Sequence, residues 1–103
     1  MEEIPLEVYF LKNLTLDNIN LRPHSINKMF DRNIKDEWIY DCLLNKKLMG
    51  IIKQRPQRFR LYYNHPEKSQ NYDLIIVIDV SSSISKYIKV VTTYEQLNKR
   101  RVR

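Results

Sequence analysis

The chain has 103 residues, the length of one domain, with 43% apolar and 29% charged residues, so it holds one modest core. Its only glycine is Gly50, against about seven from average usage, which excludes a P-loop or a dinucleotide fingerprint, since both bring backbone to phosphate through several glycines. A single cysteine, Cys42, excludes a disulfide within the chain, and the net charge of +6 directs attention to anionic partners.

In chain order, Leu6–Leu11 fits either a strand or a short helix. Leu14-Leu16 and Ile19-Leu21 alternate with period two, and Pro23 favours extended backbone just before it. A helix is predicted from about His24 to Arg32, with Ile26, Met29 and Phe30 spaced as one buried face. Its start is either an N-cap at Ser25 or a first helical position at Pro23. Asn33 can close it, because Asn tolerates the left-handed conformation. A second helix is predicted over about Asp36–Asn45, with acids at its positive end and an apolar stripe of Trp38, Ile39, Cys42 and Leu43. Cys42 on that stripe reads as a buried structural thiol.

The period then changes from helix to strand. Strands are predicted over Leu48–Lys53, Gln57–Tyr63, Tyr72–Val80 and Lys86–Tyr94, the third being the most apolar and therefore central. Asn64–Asn71 and the serines at 81–83 read as loops, and Glu95–Arg103 as a helical turn that frays. Two helices followed by four strands predict an α+β domain with an antiparallel sheet against the helices.

The basic residues are clustered. Lys46, Lys47, Lys53, Arg55, Arg58 and Arg60 form one acid-free block, and Lys99–Arg103 adds four more cations. The rest of the chain has eight basic and twelve acidic groups, a net −4. Two basic blocks on an acidic body point to a polyanion or to an acidic protein partner; solvated strand faces and a solubilising tail are the plain alternative. Met1–Pro5 lacks the start of a signal peptide, and the apolar run Leu74–Ile78 is far short of the ~20 residues that cross a bilayer, so a cytoplasmic protein without a membrane partner is expected. One thiol and two histidines leave no metal site to expect, and no cofactor motif is present. Asp73 and Asp79 lie about 20 Å apart on one strand, too far for a shared acid–base site.

The candidate catalytic residues are His24, Arg32 and the strand end Thr92-Thr93-Tyr94. Eight helical positions separate His24 and Arg32, so both reach one side of the helix with a rise of about 12 Å. Histidine moves a proton near neutral pH, arginine holds a phosphate with two hydrogen bonds, and a hydroxyl of Thr92 or Tyr94 orients or donates. That set suits metal-independent cleavage of RNA, whose own 2′-OH is the nucleophile. Arg58, Arg60 and Tyr62 alternate onto one strand face, where Arg and Tyr can stack on bases. Lys28, Lys53 and Arg55 complete the candidate substrate contacts.

The run from Pro23 to Ile39 resembles the opening of a small domain-of-unknown-function family. Its pattern is a histidine, a small residue, an R/K-M-x-x-R-x-I core and acids opening a second helix, here His24, Ser25, Lys28, Met29, Arg32, Ile34, Asp36 and Glu37. An ending like I-x-V-V-T-x-Y recurs as Ile88–Tyr94. The resemblance covers roughly residues 22–94, leaving 1–21 as an N-terminal extension and 95–103 as a basic tail of a single domain. Lys28 stands for the usual Arg, and Asn33 and Asn45-Lys46 stand where glycines are usual. The family is similar to the RelE, barnase and colicin-nuclease superfamily of ribonuclease toxins. The resemblance therefore implies two N-terminal helices on a roughly four-stranded antiparallel sheet, an RNA endonuclease with His24 as general base or acid and Arg32 on the phosphate, and a small acidic antitoxin-like partner. Two other functions fit the charge pattern: a non-catalytic RNA- or DNA-binding module using the 46–60 block, and an interaction domain for an acidic protein.

Overall fold

The structure, a computed structural model, describes residues 14–21, 23–80 and 87–100, with the side chains of 23–25 and 100 excepted. The predicted element at Leu6–Leu11 and the serine loop at 81–83 lie outside the described residues. A 3₁₀ turn at Leu16–Asn18 leads into β1 (Ile19–Leu21), α1 (Pro23–Asp31) and α2 (Asp36–Asn45). Four strands follow: β2 (Gly50–Arg55), β3 (Arg58–Asn64), β4 (Tyr72–Val80) and β5 (Ile88–Leu97), with a last 3₁₀ turn at Asn98–Arg100. The sheet order is β1-β5-β4-β3-β2. The β1–β5 pair is parallel and every other pair is antiparallel.

This corrects the predicted architecture. The sheet has five strands and is mixed, not a roughly four-stranded antiparallel one, and strand outweighs the two short helices. β1 escapes detection because three alternating residues carry little pattern, and its partner comes only after both helices and three more strands. β5 also runs three residues past the expected end, so Glu95–Leu97 is strand and not a helical turn.

Local chemistry explains how α1 stops. Pro23 takes its first position, where a missing N–H costs nothing. At the other end Asn33 has φ 56°, the only positive φ at a non-glycine residue among those described. The Asn33 N–H donates to the Phe30 carbonyl (3.2 Å) and the Ile34 N–H to the Met29 carbonyl (2.9 Å). That pair of bonds is a Schellman closure, and Met29 and Ile34, both buried, make its apolar contact. Of the expected stripe on α1, however, only Met29 is buried. Ile26 is 49% and Phe30 83% exposed, because α1 lies along β5 and presents only one flank to the core.

The main core fills the space between the helices and one face of the sheet. Met29, Trp38, Ile39, Cys42 and Leu43 meet Phe59, Leu61, Tyr63, Leu74, Ile76 and Ile78 there. Burial pushes the Cys42 thiol up to about 12, as suits a structural thiol. The second face carries a smaller cluster of Tyr62, Ile75 and Val77, flanked by Ile52, Val91 and Tyr94. β4 is buried on both faces, which is why its sequence is a continuous apolar run. No helix among the described residues is long and apolar enough to cross a membrane, and no group of three or more potential metal ligands occurs among them.

A polar knot joins α2, the β3–β4 loop and β5. His65 is 1% exposed, and its Nδ1 accepts the N–H groups of Glu67 (3.0 Å) and Lys68 (3.1 Å). With Nδ1 accepting, the ring hydrogen sits on Nε2 and is donated to Glu95 Oε2 at 2.7 Å. Lys68 Nζ reaches the same oxygen at 3.0 Å. Trp38 packs edge-on against the imidazole and donates its indole N–H to Glu67 Oε2 at 2.8 Å. Asn98 closes the loop with bonds to the carbonyls of Ser69 and Gln70. Burial alone would raise the Glu95 pKa, but the hydrogen bonds from Lys68 and His65 outweigh it and hold the carboxyl below its ordinary value.

Two outcomes are expected. Asn33→Ala should cost ~1–2 kcal/mol in urea unfolding, whereas Asn33→Gly should be at least as stable as the parent, because only glycine takes φ > 0 freely. A lowered carboxyl pKa stabilises the fold above the unfolded value of ~4.3 and loses that contribution as pH falls through the folded value. Between about pH 5 and about pH 3 the parent should therefore lose stability faster than Glu95→Gln. Parallel acid limbs for the two proteins would show that Glu95 contributes nothing to this dependence.

Candidate functional site

Several of the candidate residues gather on the second face of the sheet, and a bulge in β5 puts Thr92 and Tyr94 there. Val90 pairs with Ile78 and Thr92 with Val77, so Val91 is one residue too many. Ile88 and Val90 point into the main core. Unbroken alternation would send Thr92 and Tyr94 the same way. The extra residue reverses the phase. Thr92 now stands across from Val77 and Tyr94 across from Ile75, both second-face positions, while Thr93 and Glu95 turn to the helix side.

Arg32 reaches this strand from the closed end of α1. β1 covers the outer edge of β5 only as far as Val90. Just beyond, Arg32 Nη1 donates to the Thr93 carbonyl (2.7 Å) and to Thr92 Oγ1 (3.0 Å). Its guanidinium carbon is 5.9 Å from the centre of the Tyr94 ring. Three of the four predicted catalytic residues, Arg32, Thr92 and Tyr94, therefore come together. The side chain of the fourth, His24, lies outside the described residues. Lys28 is half-buried one turn before Arg32, on the same flank of α1.

The basic strand face is more varied than its alternation implies. Arg60 lies two strands from Thr92 in the same cross-strand row. It donates to the Tyr62 hydroxyl at 3.2 Å. With the Gln54 amide oxygen turned inward, Arg60 Nη2 and Nε also donate to it, at 2.7 and 3.1 Å. The Tyr62 bond is the main cause that pushes the Arg60 pKa up against the cost of burial, and the neighbouring Tyr94 adds to it. Tyr62 itself is fully buried, so it braces Arg60 and is not an exposed stacking platform. That corrects its expected role as a substrate contact.

Arg58 and Lys53 also differ from expectation. Arg58 holds Asp79 through two parallel bonds, Nε to Oδ1 at 2.7 Å and Nη2 to Oδ2 at 2.9 Å. That bond with Asp79 raises the Arg58 pKa, against a smaller cost of burial. Arg55 stands directly across β2 from Arg58, on the second face, after a register shift near Gln54. Lys53 is paired with Phe59 on the helix side, its ammonium 5.9 Å from the Phe59 ring centre, and does not join the other cations. Pattern reading missed Gln54 and Asp79. Gln54 carries no chemical signal at a bulge, and Asp79 becomes the partner of Arg58 only through the β3–β4 register.

The second face thus holds two kinds of arginine. Both acceptors of Arg32 are neutral oxygens, and so are the Tyr62 and Gln54 acceptors of Arg60. The fork of Arg58 is filled by a carboxylate. Neutral acceptors fix a guanidinium in place without cancelling its charge, which leaves it suited to an anionic ligand.

No curated protein and no solved structure matches the chain. One family model, described as the MJ0788 family, matches residues 7–78. The matched stretch contains α1, α2, β2 and β3 and most of β4, and with them Arg32, Arg58 and Arg60; Thr92 and Tyr94 lie beyond it. A match over most of the chain places this protein in the MJ0788 family.

Proposed function

We propose that this protein binds single-stranded RNA across the second face of its sheet. One observation carries the reading: Arg32 and Arg60, each braced by neutral oxygens, share a face with Tyr94 and the Thr92 hydroxyl. Held guanidiniums lose little freedom on binding, so more of each phosphate contact remains as affinity. The half-buried Tyr94 ring offers a face on which a base can stack, and stacking is open to a single strand. Lys28 and Arg55 extend the positive surface.

Binding of a fluorescent RNA oligonucleotide, followed against salt concentration, tests this. Each lost phosphate contact lowers the slope of log K against log salt by ~0.7 for a single strand. Arg32→Gln and Arg60→Gln together should therefore flatten it by ~1.4. A double variant that binds with the parent's slope would overturn the reading.

The hydroxyl beside Arg32 favours a second reading, in which the bound strand is also cut. The 2′-oxygen would attack the adjacent phosphorus, its proton passing to a base. The 5′-oxygen would leave with a proton from an acid, giving a 2′,3′-cyclic phosphate and a 5′-hydroxyl. His24 is the candidate for the proton transfers, and Arg32 for holding the charge that gathers on the phosphate oxygens. Total RNA incubated with the parent in EDTA should yield cyclic-phosphate ends, and His24→Ala should abolish them. RNA left intact by the parent, or equal cleavage by the variant, would remove this second step and leave binding untouched.

A further inference from the structure

The Arg58–Asp79 pair is built like an anion site that already has an occupant. Two parallel hydrogen bonds of 2.7 and 2.9 Å are the arrangement a guanidinium offers to a carboxylate or a phosphate. The pair is open to solvent, with 25% of the Arg58 and 35% of the Asp79 side chain exposed. It is also flanked by charge. Arg55 stands directly across from Arg58, and Lys89 directly across from Asp79 on β5. One carboxylate therefore lies among three cations on the same face as Arg32 and Arg60. Asp79 has a cation opposite it on both neighbouring strands, so a rotation of its side chain would exchange Arg58 for Lys89 with no change in net charge.

Resting on the RNA reading above, we propose that Asp79 is a tethered competitor for the phosphate of the ligand. In the free protein its carboxylate fills the Arg58 fork. In the complex a phosphate group takes the fork, and the carboxylate turns toward Lys89. Arg58 is then a latent phosphate contact, and Asp79 sets how readily the second face accepts a polyanion. A ligand must supply a group able to make both hydrogen bonds in order to displace it, so the exchange favours phosphate over anions that offer a single acceptor.

Removing the competitor tests the proposal. Asp79→Asn should bind single-stranded RNA about tenfold more tightly than the parent, the scale of one hydrogen bond to a charged group. Glu37→Gln, which makes the same charge change on α2, should give a much smaller gain. Arg58→Ala should weaken binding alone and should abolish the gain when added to Asp79→Asn. Asp79→Ser is the second variant, and a melting curve confirms the fold of each. Equal gains from Asp79→Asn and Glu37→Gln, or a gain that survives Arg58→Ala, would overturn the proposal. An independent measurement uses inorganic phosphate as the probe and the ¹⁵N-labelled Arg58 Nε signal as the readout. The signal should move at lower phosphate concentration in Asp79→Asn than in the parent. Identical titrations would overturn the proposal whether or not RNA binds, whereas RNA binding absent from every variant, with the phosphate titrations still separated, would overturn the RNA reading alone.

Discussion

A single extra residue in β5, Val91, sets the direction of every side chain that follows it in that strand. Side chains alternate strictly along a strand, so one inserted residue exchanges the two faces for the remainder. Before the bulge, Ile88 and Val90 fill the core. After it, Thr92 and Tyr94 join the second face, and Glu95 lands on the helix side where His65 is buried. Two polar groupings among the described residues depend on this one reversal: the meeting of Arg32 with Thr92 and Tyr94, and the His65 knot. A regular β5 would bury the Thr92 hydroxyl and leave His65 Nε2 without its carboxylate.

Arg32 connects the helical side of the fold to the second face. Its position follows from the Schellman closure at Asn33, which ends α1 beside the part of the β5 edge that lies beyond β1. Among the described residues no strand pairs with that edge beyond Val90, because β1 is only three residues long. A strand edge presents carbonyls that need donors, and the exposed Arg32 meets the one at Thr93. The same contact serves stability and site geometry together. A variant at Arg32 therefore needs a readout, such as salt dependence, that separates the two roles.

The second face is not a uniform basic surface. Its apolar centre, Tyr62, Ile75 and Val77, is surrounded by guanidiniums that differ in what holds them. Arg60 leans on a buried tyrosine and a glutamine, and Arg58 on a carboxylate. Charge counts treat these arginines as equal. Their availability to an anion differs because a carboxylate partner must be displaced and a neutral one need not be.

Residue order alone determined the two helices, with α2 at its observed bounds, the central strand Tyr72–Val80, the buried thiol and the closure at Asn33. Those features follow from periodicity and backbone preference over a few neighbouring residues. The grouping of Arg32 with Thr92 and Tyr94 was partly legible from chemistry, since those side-chain types share a purpose. Contacts between distant segments could not be read the same way. The parallel β1, the pairing of Arg58 with Asp79, the burial of Tyr62 and the outward turn of Thr92 depend on register, and one residue of register reverses a face. The exposure of Phe30 likewise depends on how α1 lies along β5, which a helical stripe does not encode. The sequence by itself determined that cations are abundant and where in the chain they fall. Tertiary structure decided which of them face outward with neutral partners, because that is a matter of which strand lies opposite which.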